Sequence, residues 1–250
     1  MKLKHSGSAG IVMAAGKGTR FSSTIPKVMQ LVGGTPILKH VVGTGLNSGL
    51  NPLVVVIRPD IEIGLAGEGA LLVDQPPGES GTAYATEIGL SKIPSSIKTV
   101  AILYGDSPLL EASTVNNVVK AVTETDAVAS LSWAQVPDPG SFGRIVIDNS
   151  GIVRKVIEAA EATSDELLIT TVNAGPCAFH ADWLREHLAS VKPSHISGER
   201  YLTDLFGIAI NEGSVVMGHE ITDLDETIGC DDLERLQAAN LAYGLSLIHI

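Results

Sequence analysis

The chain has 250 residues, with 17 Lys or Arg against 28 Asp or Glu, which sets the formal net charge at −11 and the pI near 5.0. A globally basic nucleic-acid binder is disfavoured, because nonspecific phosphate-backbone affinity comes from clustered positive charge, so no nucleic-acid partner is expected. At 44% hydrophobic and 18% charged the composition is globular rather than disordered, and Cys177 and Cys230 are too few for a disulfide framework or a four-cysteine zinc site.

Short β-branched runs alternate with helical patterns through the first half, the signature of parallel strands joined by helical crossovers. Ile11–Ala14 reads as a buried strand, and a Gly-rich loop follows it. Thr35-Pro36 supplies an N-cap and a first-turn proline for a helix carrying Ile37, Leu38, Val41, Val42 and Leu46, closed by Gly49. Strands are expected at Leu53–Ile57, Ala70–Val73, Thr99–Tyr104 and Ala127–Trp133, with helices at Gly81–Leu90 and Ser113–Glu124. The pattern changes at Pro137-Asp138-Pro139-Gly140. Beyond it, Arg144–Ile147 and Val153–Ile157 form a hairpin around Asp148-Asn149-Ser150-Gly151. Thr170–Phe179 and Ser214–Gly218 are further strands, and Asp182–Ser190, Tyr201–Asn211 and Asp231–Tyr243 are helices. The longest apolar runs fall far short of the ~20 residues of a membrane span. Ile11–Ala15 is followed by Gly16, Lys17 and Arg20 and not by a small-residue cleavage site. A cytoplasmic protein without a membrane partner is therefore expected, and its oligomeric state stays open.

Charge is unevenly spread. Residues 1–60 hold seven basic side chains (Lys2, Lys4, Lys17, Arg20, Lys27, Lys39 and Arg58) against Asp60 alone, a local balance of +6, which leaves −17 for the rest. An anionic ligand held by the first quarter of the chain would explain the split. Ala14-Ala15-Gly16-Lys17-Gly18-Thr19-Arg20, with Pro26-Lys27 beyond, is the fitting motif: glycines after a buried strand turn backbone N–H groups towards one point, and the cations suit a polyphosphate. It is not a P-loop, because Gly10 is one residue too far from Gly16-Lys17 and Gly18 stands where Ser or Thr binds magnesium. Nor is it the dinucleotide fingerprint, since Phe21 takes the third glycine position. A Gly-rich turn with solvated cations is the ordinary alternative. The second motif is Leu103-Tyr104-Gly105-Asp106-Ser107-Pro108-Leu109. A strand ending in Gly-Asp sets a carboxylate at the carboxyl edge of the sheet, where it either holds a hard cation or merely caps the turn before Pro108. The seven histidines show no metal-binding spacing.

Together these motifs resemble the sugar-1-phosphate nucleotidyltransferases, in particular their amino-sugar uridylyltransferase branch. The resemblance covers about residues 10–240. It also rests on Gly34-Thr35-Pro36-Ile37-Leu38-Lys39-His40-Val41, Gly81-Thr82-Ala83, Phe142-Gly143-Arg144-Ile145-Val146, Val156-Ile157-Glu158, Asn173-Ala174-Gly175 and Gly198-Glu199-Arg200-Tyr201-Leu202-Thr203-Asp204. It implies one α/β domain over 1–250, a Rossmann-like, mostly parallel sheet with helices on both faces and a small β-rich sugar-binding elaboration. About 1–135 would be the nucleotide half and 136–230 the sugar half, with 231–250 a terminal helix and tail. The hexapeptide-repeat acetyltransferase domain into which bifunctional members continue is not expected.

By the same resemblance Arg20, Lys27 and Asp106 would be catalytic, and Asp106 would hold Mg²⁺. Ala14, Ala15, Gly16, Gly18, Thr19, Gln75, Gly81 and Thr82 would bind the nucleoside triphosphate. Tyr104, Gly143, Glu158, Asn173, Tyr201 and Thr203 would line the pocket for the sugar 1-phosphate. Each also has an ordinary structural reading, such as a hairpin glycine for Gly143 or a solvated strand-end charge for Glu158. The sequence departs from the family pattern at four places. Asp231 stands where the second magnesium ligand is usually Asn, with Asp223 and Asp225 as competitors. Gln75 is the one amide in the base-reading loop. Ala174 replaces a Thr, and Ala159-Ala160-Glu161-Ala162 replaces a Lys-Asp-containing run. The activity implied is transfer of a uridylyl group from UTP to N-acetylglucosamine 1-phosphate. The alternatives are another base or sugar phosphate, or a non-catalytic nucleotide-sugar sensor.

Overall fold

The computed structural model describes residues 7–16, 18, 21, 25–61, 64, 69–78 and 80–248. Eleven strands and six α-helices are found among them. In chain order they are β1 (Ser8–Met13), β2 (Leu31–Val32), β3 (Thr35–Pro36), α1 (Ile37–Asn47), β4 (Leu53–Ile57), β5 (Ala70–Asp74), α2 (Thr82–Leu90), β6 (Thr99–Tyr104), α3 (Ala112–Thr123) and β7 (Ala127–Gln135). They continue with β8 (Arg144–Ile147), β9 (Val153–Ile157), β10 (Thr171–His180), α4 (Ala181–His187), α5 (Asp204–Asn211), β11 (Val215–Glu220) and α6 (Leu233–Ile248).

The main sheet runs β11-β7-β10-β6-β1-β4-β5, with the β8-β9 hairpin attached through β10. The β6-β1-β4-β5 portion is wholly parallel, in register Val12↔Val55 and Val12↔Leu103 across β1. Strands buried on both faces read as continuous apolar runs, which is why β1 and β4 carry no alternation. Ile11, Met13, Val54 and Ile102 pack towards α2, α4 and α5, while Val12, Val55, Leu103 and Ala14 pack towards α1 and α3. The chain therefore has the expected helix-covered α/β sheet. Its parallel order is interrupted by β10, which lies antiparallel between β6 and β7.

One local reading is corrected. Thr35-Pro36 does not open the helix from within: Leu31 and Val32 pair antiparallel with Pro36 and Thr35 across Gly33-Gly34, and α1 begins at Ile37 without a side-chain cap. Both turn glycines have positive φ, as a tight hairpin of this hand requires. The reason for the hairpin is tertiary. Asn240 of α6 accepts the Gly33 N–H through Oδ1 at 3.0 Å and donates through Nδ2 to the Leu31 carbonyl at 3.1 Å, and Val32, Ile37, Cys230 and Ala239 bury one another behind it. Similarly, α5 starts at Asp204 rather than Tyr201, and α6 starts at Leu233 and extends to Ile248.

Candidate active site

Strand order places β4 on one side of β1 and β6 on the other, so the chain reverses direction of winding at the carboxyl ends of β1 and β6. Ligands bind in such a crevice because the two flanking loops diverge there. The two edges are held unusually close. Gly105 N–H donates to the Met13 carbonyl at 2.9 Å, and a Cβ on Gly105 would stand 2.8 Å from both that oxygen and the Ala14 Cβ. Glycine at 105 is what brings Asp106 against the loop that follows β1.

Into this crevice comes Lys27, carried on a short 3₁₀ turn, Lys27–Met29, whose Val28 is buried. Its Nζ donates to Asp106 Oδ2 at 2.5 Å and to Asp231 Oδ1 at 2.9 Å. Burial alone would lower the Lys27 pKa, but the charges and hydrogen bonds of the two carboxylates outweigh it, and the ammonium is stabilised. Asp231 is delivered by the segment before α6. The N–H of fully buried Cys230 donates to the Asp106 carbonyl at 2.9 Å, and burial, with Asp106 adjacent, pushes the Cys230 thiol up to about 12. Of the three acidic candidates for the second ligand, the structure brings Asp231 to Asp106. Asp223 caps the following 3₁₀ turn by accepting the Asp225 N–H.

Two carboxylates converging on one ammonium form an oxygen donor pair around a point where positive charge is already favoured. That chemistry fits Mg²⁺, which takes one or two carboxylates and completes its shell with water and substrate phosphate. Among the described residues no group of three or more His, Cys, Asp or Glu is arranged to hold a metal.

Ala14 and Ala15 are buried and Gly16 is exposed at the end of β1. Gly18 lies against Lys27: a Cβ there would be 2.9 Å from the Lys27 Cβ. Thr19 and Arg20, together with Lys17, lie outside the described residues. Arg58, counted in the sequence only as charge, pairs with Asp60 at 2.8 Å and donates to the Gly16 carbonyl at 3.2 Å, so it braces the loop.

The second cluster forms where the β8-β9 hairpin meets β10. Arg144 pairs with both Ile157 and Val172, which sets Gly143, Glu158 and Asn173 on one face one step beyond. Asn173 N–H donates to the Gly143 carbonyl at 2.8 Å, and Thr203 Oγ1 donates to Glu158 Oε1. Burial raises the Glu158 pKa against the opposing Thr203 hydrogen bond. Tyr104, the last residue of β6, is held protonated well beyond the usual phenol range, first by burial and then by the nearby carboxylates of Glu158 and Asp106, against an opposing side-chain hydrogen bond with Asn173. Its hydrogen bond with Asn173, and its place at the end of β6 two residues before Asp106, set it between the Asp106 cluster and the Glu158–Asn173 cluster. Gly143 is not demanded by sterics, since a Cβ would meet the Ile157 carbonyl only at 3.4 Å. Arg144, 3% exposed, holds the preceding loop by donating to the carbonyls of Pro139, Gly140, Phe142 and Leu167. Nothing in the sequence distinguished this buried arginine from a surface one.

Two expected ligand contacts keep a buried acceptor with no hydrogen-bond partner in the protein: Gln75 Oε1 and Asn173 Oδ1. Buried polar atoms are normally paired, so orphans at such positions point to an external donor. Gly81 and Thr82, at the start of α2, face the segment 200–202, and Thr82 Oγ1 accepts the Leu202 N–H at 2.8 Å. Thr82 thus serves the protein's own backbone. Tyr201 donates its hydroxyl to Ser197 Oγ at 2.8 Å. Asp204 was not anticipated; burial, with Glu161 and Glu158 nearby, raises its pKa to about 6.

A helix-covered α/β sheet with a Gly-rich loop and a lysine-bridged carboxylate pair at its switch point sets charged groups where folds of this class take their ligands. The chain belongs to the MobA-like NTP transferase domain family, which matches residues 10–205. It is 34% identical over 236 residues to the bifunctional protein GlmU of Bacillus mycoides, covering 92% of this chain and 50% of that protein, and 33% identical over the same length to that of Bacillus thuringiensis. The chain spans about half the length of the curated relatives it matches. Its fold is like that of a UDP-glucose pyrophosphorylase solved with UDP-glucose (TM-score 0.75, 17% identity, 95% of this chain and 99% of that one). It is also like that of a glucose-1-phosphate thymidylyltransferase from Bacillus anthracis solved with sucrose (TM-score 0.76, 20% identity, 94% and 95%). The resemblance to sugar-1-phosphate nucleotidyltransferases is thereby borne out. No helix among the described residues is long and apolar enough to cross a membrane.

Proposed function

We propose that this protein joins UTP and N-acetylglucosamine 1-phosphate into the UDP-sugar and pyrophosphate, with Mg²⁺ as cofactor. The observation that carries this reading is the convergence of Lys27, Asp106 and Asp231 beside the Gly-rich loop, with Tyr104 leading from them to Glu158 and Asn173. A phosphate-monoester oxygen is already anionic at neutral pH. It attacks the α-phosphorus of UTP without a general base, forming the new P–O bond as the bond to the β-phosphate breaks and pyrophosphate leaves. The task left to the protein is to hold two mutually repelling polyanions in line and to neutralise charge as it develops.

In this reading Lys27 and Arg20 bind phosphate oxygens, and the loop Ala14, Ala15, Gly16, Gly18 and Thr19 surrounds the triphosphate, with the Ala14 amide itself held by the Val56 carbonyl at 2.8 Å. Gln75 and Gly81 face the base and ribose. Glu158, Asn173 and Thr203 fix the sugar hydroxyls, with Gly143, Tyr104 and Tyr201 shaping the pocket. Mg²⁺ held by Asp106 and Asp231 would supply charge neutralisation across the triphosphate. Lys27, which donates to both carboxylates, would then be available to a phosphate oxygen.

A pyrophosphate-release panel tests this: four nucleoside triphosphates against several sugar 1-phosphates, each with Mg²⁺ or with a chelator. UTP with N-acetylglucosamine 1-phosphate and Mg²⁺ is expected to be fastest, and Lys27→Met to lower its rate at least ~100-fold, the scale of losing one charge at a developing oxyanion. Silence across the panel in a folded protein that still binds a UDP-sugar would identify a sensor instead.

A further inference from the structure

Two stretches 120 residues apart in sequence are tied together at the start of α2. The Arg200 N–H donates to the Ser80 carbonyl at 3.1 Å, and its own carbonyl accepts the Ala83 N–H at 3.0 Å. Leu202 N–H donates to Thr82 Oγ1 at 2.8 Å. Between them Gly81, at φ 109°, leaves no room for a side chain: a Cβ would lie 2.3 Å from the Arg200 carbonyl oxygen. Among the described residues the Arg200 side chain, only 12% exposed, binds in three directions. Nε donates to the Val191 carbonyl at 3.1 Å, one terminal nitrogen to the Leu188 carbonyl at 2.9 Å, and the other to Glu87 Oε2 on α2 at 2.7 Å.

The consequence is geometric. Gly81-Thr82 stands on the nucleotide side, and Tyr201 and Thr203 stand on the sugar side, with Thr203 passing the connection on to Glu158. Coupling between two binding sites needs a physical element whose arrangement both ligands bias. Here that element is the backbone ladder 80–83/200–202, and the Arg200 guanidinium is what locks it to α2 and to the turn at residues 188–191. We propose that Arg200 is a positioning residue that couples nucleotide binding at Gly81 to sugar-phosphate binding at Tyr201 and Thr203; the inference rests on the functional reading above. In this reading Arg200 acts through the ladder and not on a substrate: among the described residues its guanidinium donates to two carbonyls and to Glu87. Its effect is on how strongly one ligand favours the other, and this effect is reciprocal.

The test is calorimetric titration of N-acetylglucosamine 1-phosphate with and without saturating α,β-methylene-UTP, a nucleotide that cannot react. In the wild-type protein the nucleotide is expected to tighten sugar-phosphate binding about 5- to 10-fold, the ordinary range of a coupling between sites. Arg200→Ala brings that factor to within about twofold of unity while nucleotide binding alone changes less than that. Arg200→Lys, which keeps the Glu87 pair but cannot reach both carbonyls, restores part of the factor. A merely structural arginine would lower the melting temperature and leave the coupling factor at its wild-type value, which overturns the proposal. If Arg200→Ala does not fold, Glu87→Gln decides: a reduced factor supports the proposal and an unchanged one overturns it. Wild-type protein that binds neither probe takes down the functional reading and this inference with it. Binding of both without coupling overturns the inference alone.

Discussion

Lys27 shows how a single residue depends on its surroundings for its charge. Lysine placed in a half-buried crevice tends to lose its proton, yet Asp106 and Asp231 reverse the direction of that shift. Asp204 is the opposite case. The first turn of α5 favours an anion there, but burial and two neighbouring carboxylates outweigh the helix and raise its pKa to about 6, against an ordinary 3.8. The folded state therefore holds this proton more tightly than the unfolded chain, so stability falls as pH rises from about 4 to 6 and the cost of the ionised carboxylate persists above that range. Asp204→Asn is expected to raise the melting temperature at pH 8 and to flatten the decline between pH 4 and 7. A melting series across pH checks it, and no gain at pH 8 would mean that the carboxylate is stabilised by a cation.

Elements decide what the residues can reach. The parallel register of β1 with β6 and the closeness enforced at Gly105 put Asp106 beside the loop after β1. Gly105→Ala inserts a methyl 2.8 Å from the Met13 carbonyl, and both strand ends are backbone that cannot swing aside. We expect a loss of about 1–3 kcal/mol in urea unfolding, the usual cost of overpacking. Pyrophosphate release should fall more than that stability loss alone would produce, because Asp106 is displaced from Lys27. A variant of wild-type activity would show that the crevice tolerates this displacement. The elements themselves were largely legible. Leu53–Ile57, Thr99–Tyr104 and both arms of the β8-β9 hairpin are where their β-branched runs place them. Thr35-Pro36 was not, because its local signal for a helix start was overridden by Asn240 and the hydrophobic packing of α6.

The whole molecule brings together charges that the sequence separates. The basic excess of residues 1–60 includes Lys27, whose partners come from positions 106 and 231, in the acidic remainder. An anionic ligand accompanied by a divalent ion should therefore bind the folded chain and not the unfolded one. UTP with Mg²⁺ at about 100 times its dissociation constant is expected to add about 2.7 kcal/mol of stability. For a domain of this size that is a rise in melting temperature of roughly 5–10 °C. Thermal denaturation with each of four nucleoside triphosphates checks it, and equal shifts for all four would mean that Gln75 does not discriminate among bases.

By itself the sequence determined the α/β class, the family, the apolar strands of the parallel sheet and the loop and strand-end motifs that make Lys27 and Asp106 candidates. These are local properties, carried by spacing and by residue type within a few positions. Only the tertiary structure decided that Asp231, and not Asp223, joins Asp106 on Lys27, that Thr82 spends its hydroxyl oxygen on Leu202, that β10 runs antiparallel, and that Arg200 ties the start of α2 to residues 188–191. Each of these is a contact between residues many tens of positions apart. Its existence follows from how the layers pack around the sheet, which no short window of sequence encodes.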